Sequence, residues 1–127
     1  GKLTYADLVA FVQKTAAELG IEAEVFQSNH EGALVDKIQA AYNAFDGIVI
    51  NPAAYTHTSV AILDALKAVN LPAVEVHLSD PSKREPFRHI SYAGMACQKT
   101  FAGLGFEGYA TAMAWLTEKV GKTNGTM

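Results

Sequence analysis

The sequence is short of several things, and each shortage narrows what the chain can be. It holds one cysteine, Cys97, in 127 residues. A single thiol cannot build an intrachain disulfide framework, so packing must hold the core, and a reducing compartment such as the cytoplasm is expected. No apolar run approaches the roughly 20 residues of a membrane-spanning helix. Positive charge is scarce: 10 Lys and Arg against 13 Asp and Glu give a net charge of −3. That balance lends nothing to nucleic-acid binding or to an electropositive membrane-facing surface. There is no phosphate-binding Lys loop. His30, His57, His77 and His89 fall in no His-x-His or His-Glu-x-x-His spacing, so no metal site is expected. What remains is ordinary globular composition, half hydrophobic and 18% charged. One domain covering residues 1–127 is the expectation for this length.

One stretch organises the rest. Ile48, Val49 and Ile50 form a short apolar run that stops at Asn51-Pro52. Ala53, Ala54, Tyr55, Thr56 and His57 follow, and a helical pattern begins at Thr58 or Ser59. A buried strand that ends at a polar side chain and turns directly into a helix is how open α/β sheets build ligand crevices.

The chain in order reads helix, strand, helix, strand, helix, strand, loop, strand, helix. Thr4 with Asp7 predicts a capping box, and Leu8, Val9, Val12, Ala16 and Leu19 repeat at helical spacing over 5–19 before Gly20. Residues 21–27 alternate as a strand with one wetter face. Leu34, Val35, Ile38, Ala41, Tyr42 and Phe45 predict a second amphipathic helix ended by Asp46-Gly47. A third helix is expected over 59–69, stopped by Asn70, and a strand over 73–78. Ser82 to Glu85 has the spacing of a capping box, with Pro86 in the first turn, where its missing N–H is harmless. A last strand is expected around 97–102, although Gln98, Lys99 and Thr100 interrupt it. A last helix follows over 109–120 with Ala110, Met113, Ala114 and Leu116 or Thr117 inward, then a frayed tail over 121–127.

Alternation at this spacing implies βαβ units and a parallel sheet. In a flavodoxin-like sheet the order is 2-1-3-4-5. A chain opening on the first helix would lack the central strand, and each buried backbone group left unpaired would cost about 1–3 kcal/mol. An additional strand ahead of Gly1 is therefore expected.

Glu75 and His77 are two apart on one strand and share a face, while Val74 and Val76 fill the other. A carboxylate that accepts one ring N–H fixes the tautomer and leaves the second nitrogen for proton transfer. By spacing alone, a structural ion pair fits as well. Asn51 ends the preceding strand and could orient a histidine or bind a hydroxyl; a turn residue before proline is the plain alternative. His57 lies at a helix entrance, with Asp64 seven residues on. A loop histidine and a solvated helix face are the ordinary readings of these two. Leu78 and Ser79 begin a turn whose N–H groups could hold a carboxylate. Arg84 and Arg88, four apart, would share a helix face and suit an anionic or polyhydroxylated ligand, or simply form a solvated basic face.

Three segments together resemble one family. Phe26-Gln-Ser-Asn-His-Glu-Gly32, Ile50-Asn-Pro-Ala-Ala-Tyr-Thr-His-Thr-Ser59, and Val74-Glu-Val-His-Leu-Ser79 followed by Arg84-Glu-Pro-Phe-Arg-His-Ile-Ser-Tyr92 resemble type II 3-dehydroquinate dehydratase. The resemblance implies a flavodoxin-like αβα sandwich, a dodecamer of trimers, and conversion of 3-dehydroquinate to 3-dehydroshikimate by anti elimination through an enolate. It implies no metal or cofactor, and a place in aromatic biosynthesis or quinate breakdown. His77 matches the general acid, and Glu75 and Asn51 match residues that orient it and line the site. His57 and Arg88 match substrate-hydroxyl contacts. Leu78 and Ser79 match the carboxylate grip, Asp64 matches a contact from a neighbouring subunit, and Arg84 matches a lid residue. The family's base is a lid tyrosine that would immediately precede Gly1; Tyr5 does not match it. The competing expectation is a catalytically inert flavodoxin-like domain that holds a small acid or serves as an interaction module.

Overall fold

The computed structural model describes residues 3–124. Its centre is a parallel three-stranded sheet in the order β1-β2-β3, with β1 at Ile48–Ile50, β2 at Ala73–His77 and β3 at Lys99–Ala102. Helices α1 (Tyr5–Leu19), α2 (Glu31–Ala40), α3 (Val60–Val69) and α4 (Glu107–Asn124) complete the fold. This is the α/β architecture expected, with the strands at 48–50, 73–78 and 97–102 adjacent in chain order.

Side-chain alternation along the strands divides the core in two. Ile48, Ile50 and Ala73 face α2 and α3, where they meet Ile38, Ile62, Ala65, Leu66 and Val69. Val74 and Val76 face the other way, onto Ala112 and Leu116 of α4. Helix α1 packs outside α4 through Val12, Ala16 and Met113. The sheet is thus covered on both faces, as parallel sheets require. Every residue of β2 is buried. Full burial of a valine side chain stabilises by about 1.5–3 kcal/mol, so β2 is both the site's support and the fold's best-anchored strand.

The local signals that set helix ends operate as expected. Thr4 Oγ1 accepts from the Asp7 N–H at 3.1 Å and Asp7 Oδ2 accepts from the Thr4 N–H at 2.8 Å. Gly20 and Asn70 both adopt left-handed conformations, with φ of 72° and 54°. Ser59 caps α3 by accepting from the Ile62 N–H.

Several expectations fail for physical reasons. Residues 21–27 form no strand: among the described residues no backbone runs beside them, and a strand exists only through its ladder. Ile21, Ala23 and Val25 still pack on the α1–α4 cluster. Helix α2 stops at Ala40, and Asn43 at φ 61° turns the chain, so Tyr42 and Phe45 are exposed. The capping box at 82–85 does not form. Asp80 takes that role, accepting from the Ser82 N–H, while Glu85 turns to Arg88. In α4 it is Ala112, not Ala114, that is buried with Met113 and Leu116, and the helix continues through Asn124. Residues 125–127 lie outside the described residues.

Candidate active site

β2 runs into the site. Its alternation puts Glu75 and His77 on one face, and the His77 Nε2–H donates to Glu75 Oε2 at 2.7 Å. Glu75 is 2% exposed, so its charge needs compensation from the protein. β3 supplies part of it: Thr100 sits in register with Glu75 and its hydroxyl donates to Oε1 at 2.9 Å. Ser91, in the loop before β3, donates to Oε2. Burial pushes the Glu75 carboxyl upward, but the bonds from His77, Ser91 and Thr100 outweigh it and hold its pKa below the ordinary value. Glu75 therefore stands as a carboxylate, an acceptor only. The ring nitrogen facing it must carry hydrogen, which leaves His77 Nδ1 for chemistry.

A cavity of about 200 Å³ opens over this pair. Its wall includes Thr56 and His57, the loop residues Asp80 to Ser82, Arg88 and His89, and Ala102. His57 is oriented by its Nδ1–H donating to Ile90 O at 2.8 Å. Arg88 is held by Nε donating to Glu85 Oε2 at 2.7 Å, with its guanidinium over the Phe87 ring. His89 Nε2–H donates to Arg84 O at 3.2 Å. Thr56 is fully buried, and its hydroxyl has no protein partner. A proton donor beneath a wall of histidines and an arginine can receive a polar, anionic small molecule and protonate a leaving oxygen. Among the described residues no cluster of His, Cys, Asp or Glu is arranged to hold a metal ion.

Comparison with known proteins decides the family. Residues 1–117 match the profile of the Dehydroquinase class II family. This chain belongs to that family. It is 48% identical over 122 residues to the 3-dehydroquinate dehydratase of Clostridium acetobutylicum, covering 96% of this chain and 85% of that protein. It is 54% identical over 115 residues to the 3-dehydroquinate dehydratase of Lachnospira eligens, covering 89% and 78%. The type II dehydroquinase of Butyrivibrio crossotus superposes with a TM-score of 0.88 at 48% identity, covering 91% of this chain and 81% of that one.

Within this dehydroquinase fold the nominated residues are distributed unevenly. His77, Glu75, His57 and Arg88 line one cavity. Asn51 lies at the same end of the sheet but does not line it. Ile50 pairs with Glu75, so the next residue alternates toward α4, and Asn51 Nδ2 donates to the Tyr109 hydroxyl at 3.1 Å. Its Oδ1 accepts from the Ala53 N–H. Leu78 and Ser79 are exposed just beyond β2, and Asp64 is on the exposed side of α3. His57 belongs to a 3-10 turn before α3, so the two share no helix. Arg84 and Arg88 do not share one either: Arg84 has extended backbone between two 3-10 turns. Both nevertheless approach Glu85, at 3.8 Å and 2.7 Å.

Sequence reasoning gave no role to Thr56, Ser91 or Thr100. Thr100 carried a signal: the polar residues that made the last strand hard to read include the one that faces the buried carboxylate. Ser91 and Thr56 stand inside the segments that carry the resemblance, but their type and spacing give no signal, since a serine or threonine in a loop is commonplace.

Proposed function

We propose that this protein dehydrates 3-dehydroquinate to 3-dehydroshikimate, with His77 as the general acid. The observation that carries the reading is the His77–Glu75 pair at 2.7 Å beneath the cavity of a class II dehydroquinase chain. Loss of the hydroxyl group needs a proton on the departing oxygen, and His77 Nδ1 delivers it. Glu75 stabilises the imidazolium before transfer and holds the ring in place afterwards. The elimination passes through an enolate. The resemblance assigns the base to a lid tyrosine, and among the described residues no tyrosine lines the cavity. His57 and Arg88 read the substrate hydroxyls. Leu78 and Ser79 hold its carboxylate. Arg84 belongs to the lid.

The exposed position of Asp64 suits a contact given to an adjacent subunit in a dodecamer of trimers. We place the protein in the cytoplasm, as one domain; no helix among the described residues is long and apolar enough to cross a membrane.

The test is to add 3-dehydroquinate to the full-length protein and follow the ultraviolet absorbance of the conjugated product. A steady rise is expected. Saturable binding with flat absorbance would replace the enzyme with an inert small-acid-binding domain.

A further inference from the structure

Two hydroxyls outside the nominated site converge on Glu75, and their directions are not free. Ser91 Oγ accepts from the Gly94 N–H at 2.8 Å. That bond occupies the acceptor side of the hydroxyl and turns its single hydrogen toward Glu75 Oε2. A methyl group on Gly94 would stand 2.6 Å from Glu75 Oε1 and 2.8 Å from Ser91 Oγ, so the backbone reaches this position only without a side chain. On the other oxygen, Thr100 donates from the paired strand at 2.9 Å. The result is a one-way chain. It runs from the Gly94 N–H through the Ser91 hydroxyl to the carboxylate, which the Thr100 hydroxyl and the His77 ring N–H also enter.

We propose that Ser91 and Thr100 are positioning residues that keep Glu75 a carboxylate and so fix neutral His77 in the tautomer with hydrogen on Nε2. The proposal rests on the role given to His77 above only for its use in catalysis. The ring tautomer and carboxyl charge are properties of the resting protein.

Other ionisable groups face this carboxylate. Cys97 packs nearby, but burial and the Glu75 charge push its thiol up to about 12, so it stays neutral. His57, Asp80, Arg88 and His89 stand on the cavity wall. Among the described residues none of these hydrogen-bonds Glu75, whose direct partners are the two hydroxyls and His77.

The experiment is a pH titration by nuclear magnetic resonance of the full-length protein, reading the Glu75 carboxyl carbon and both His77 ring nitrogens. In the unaltered protein, neutral His77 carries its hydrogen on Nε2. In Thr100→Val, which keeps shape and removes the donor, the Glu75 midpoint rises by about one pH unit. Thr100→Ser restores it. Ser91→Ala gives a rise of the same sign. An unmoved Glu75 midpoint in a folded Thr100→Val protein would overturn the proposal. So would neutral His77 with hydrogen on Nδ1. Both readouts need no turnover, so a protein inactive on 3-dehydroquinate could still pass or fail this test.

Discussion

β2 presents two faces made from five consecutive residues, and they do different work. On one, Val74 and Val76 meet Ala112 and Leu116 in an apolar contact. On the other, Glu75 and His77 meet Ser91 and Thr100 through directed hydrogen bonds. All five residues of the strand are buried, so exposure does not separate the faces. What separates them is the cost of error. A missing methyl on the apolar face costs packing alone. A missing hydroxyl on the polar face changes the charge and tautomer of its neighbours, because a buried carboxylate keeps its charge only while its donors hold. The fold uses the first face to make the second rigid.

The largest effect should come from the polar face. His77→Ala is expected to reduce turnover by roughly 10²–10⁴-fold, the usual contribution of a positioned acid, with the protein still folded but melting somewhat lower, because buried Glu75 loses one of its donors. Product absorbance and a melting curve measure the two together; normal turnover would break the assignment of chemistry to this face. Val76→Ala should do the reverse. It opens a void against α4 and lowers stability by about 2 kcal/mol, with turnover little altered at a temperature where the protein stays folded. A folded Val76→Ala protein with abolished turnover would mean that the faces are not separable.

Thr4→Ala lies outside both faces and sharpens the contrast. It removes one half of the α1 capping box and should cost about 1 kcal/mol in denaturant unfolding with no kinetic effect. The smallest effect is one of slope. The folded-state pKa of Glu75 lies below its ordinary 4.5, so its stabilisation is complete above about that pH. It is lost as the pH falls through the lower folded value. Asp80 and Glu85 are also held low, Asp80 by its bonds to Ser82 and Glu85 by its bond to Arg88, so the unaltered protein has an acid slope from several groups. Glu75→Gln should lessen that slope, measured by denaturant unfolding between about pH 3 and 5. An identical slope would show that Glu75 gains nothing from its donors.

Much of the apolar face was legible beforehand. The period of two along 73–78 separates Val74 and Val76 from Glu75 and His77 without any coordinates. Helix ends at Thr4, Gly20, Ser59 and Asn70 follow from local backbone chemistry. The misreadings share one cause. Residues 21–27 have the alternation of a strand but, among the described residues, no neighbour to pair with. Ser82 to Glu85 have the spacing of a cap, but Asp80 competes for the Ser82 N–H and Arg88 competes for Glu85. Asn51 and His77 end adjacent strands, yet the pleat turns one toward Tyr109 and the other toward the cavity. In each case the local pattern was present and a partner distant in sequence decided its use.

The sequence by itself determined the order of the four helices and of the strands at 48–50, 73–78 and 97–102, the pairing of Glu75 with His77 on one face, and the family resemblance, because those depend on spacing within a few residues. Only the tertiary structure decided that Ser91 and Thr100 surround Glu75 and that Thr56 lies fully buried in the wall of the same cavity. It alone decided that Asn51 turns to α4. Hydrogen-bond partners 16 and 25 residues apart along the chain are chosen by how strands and loops pack, and no local periodicity encodes that choice.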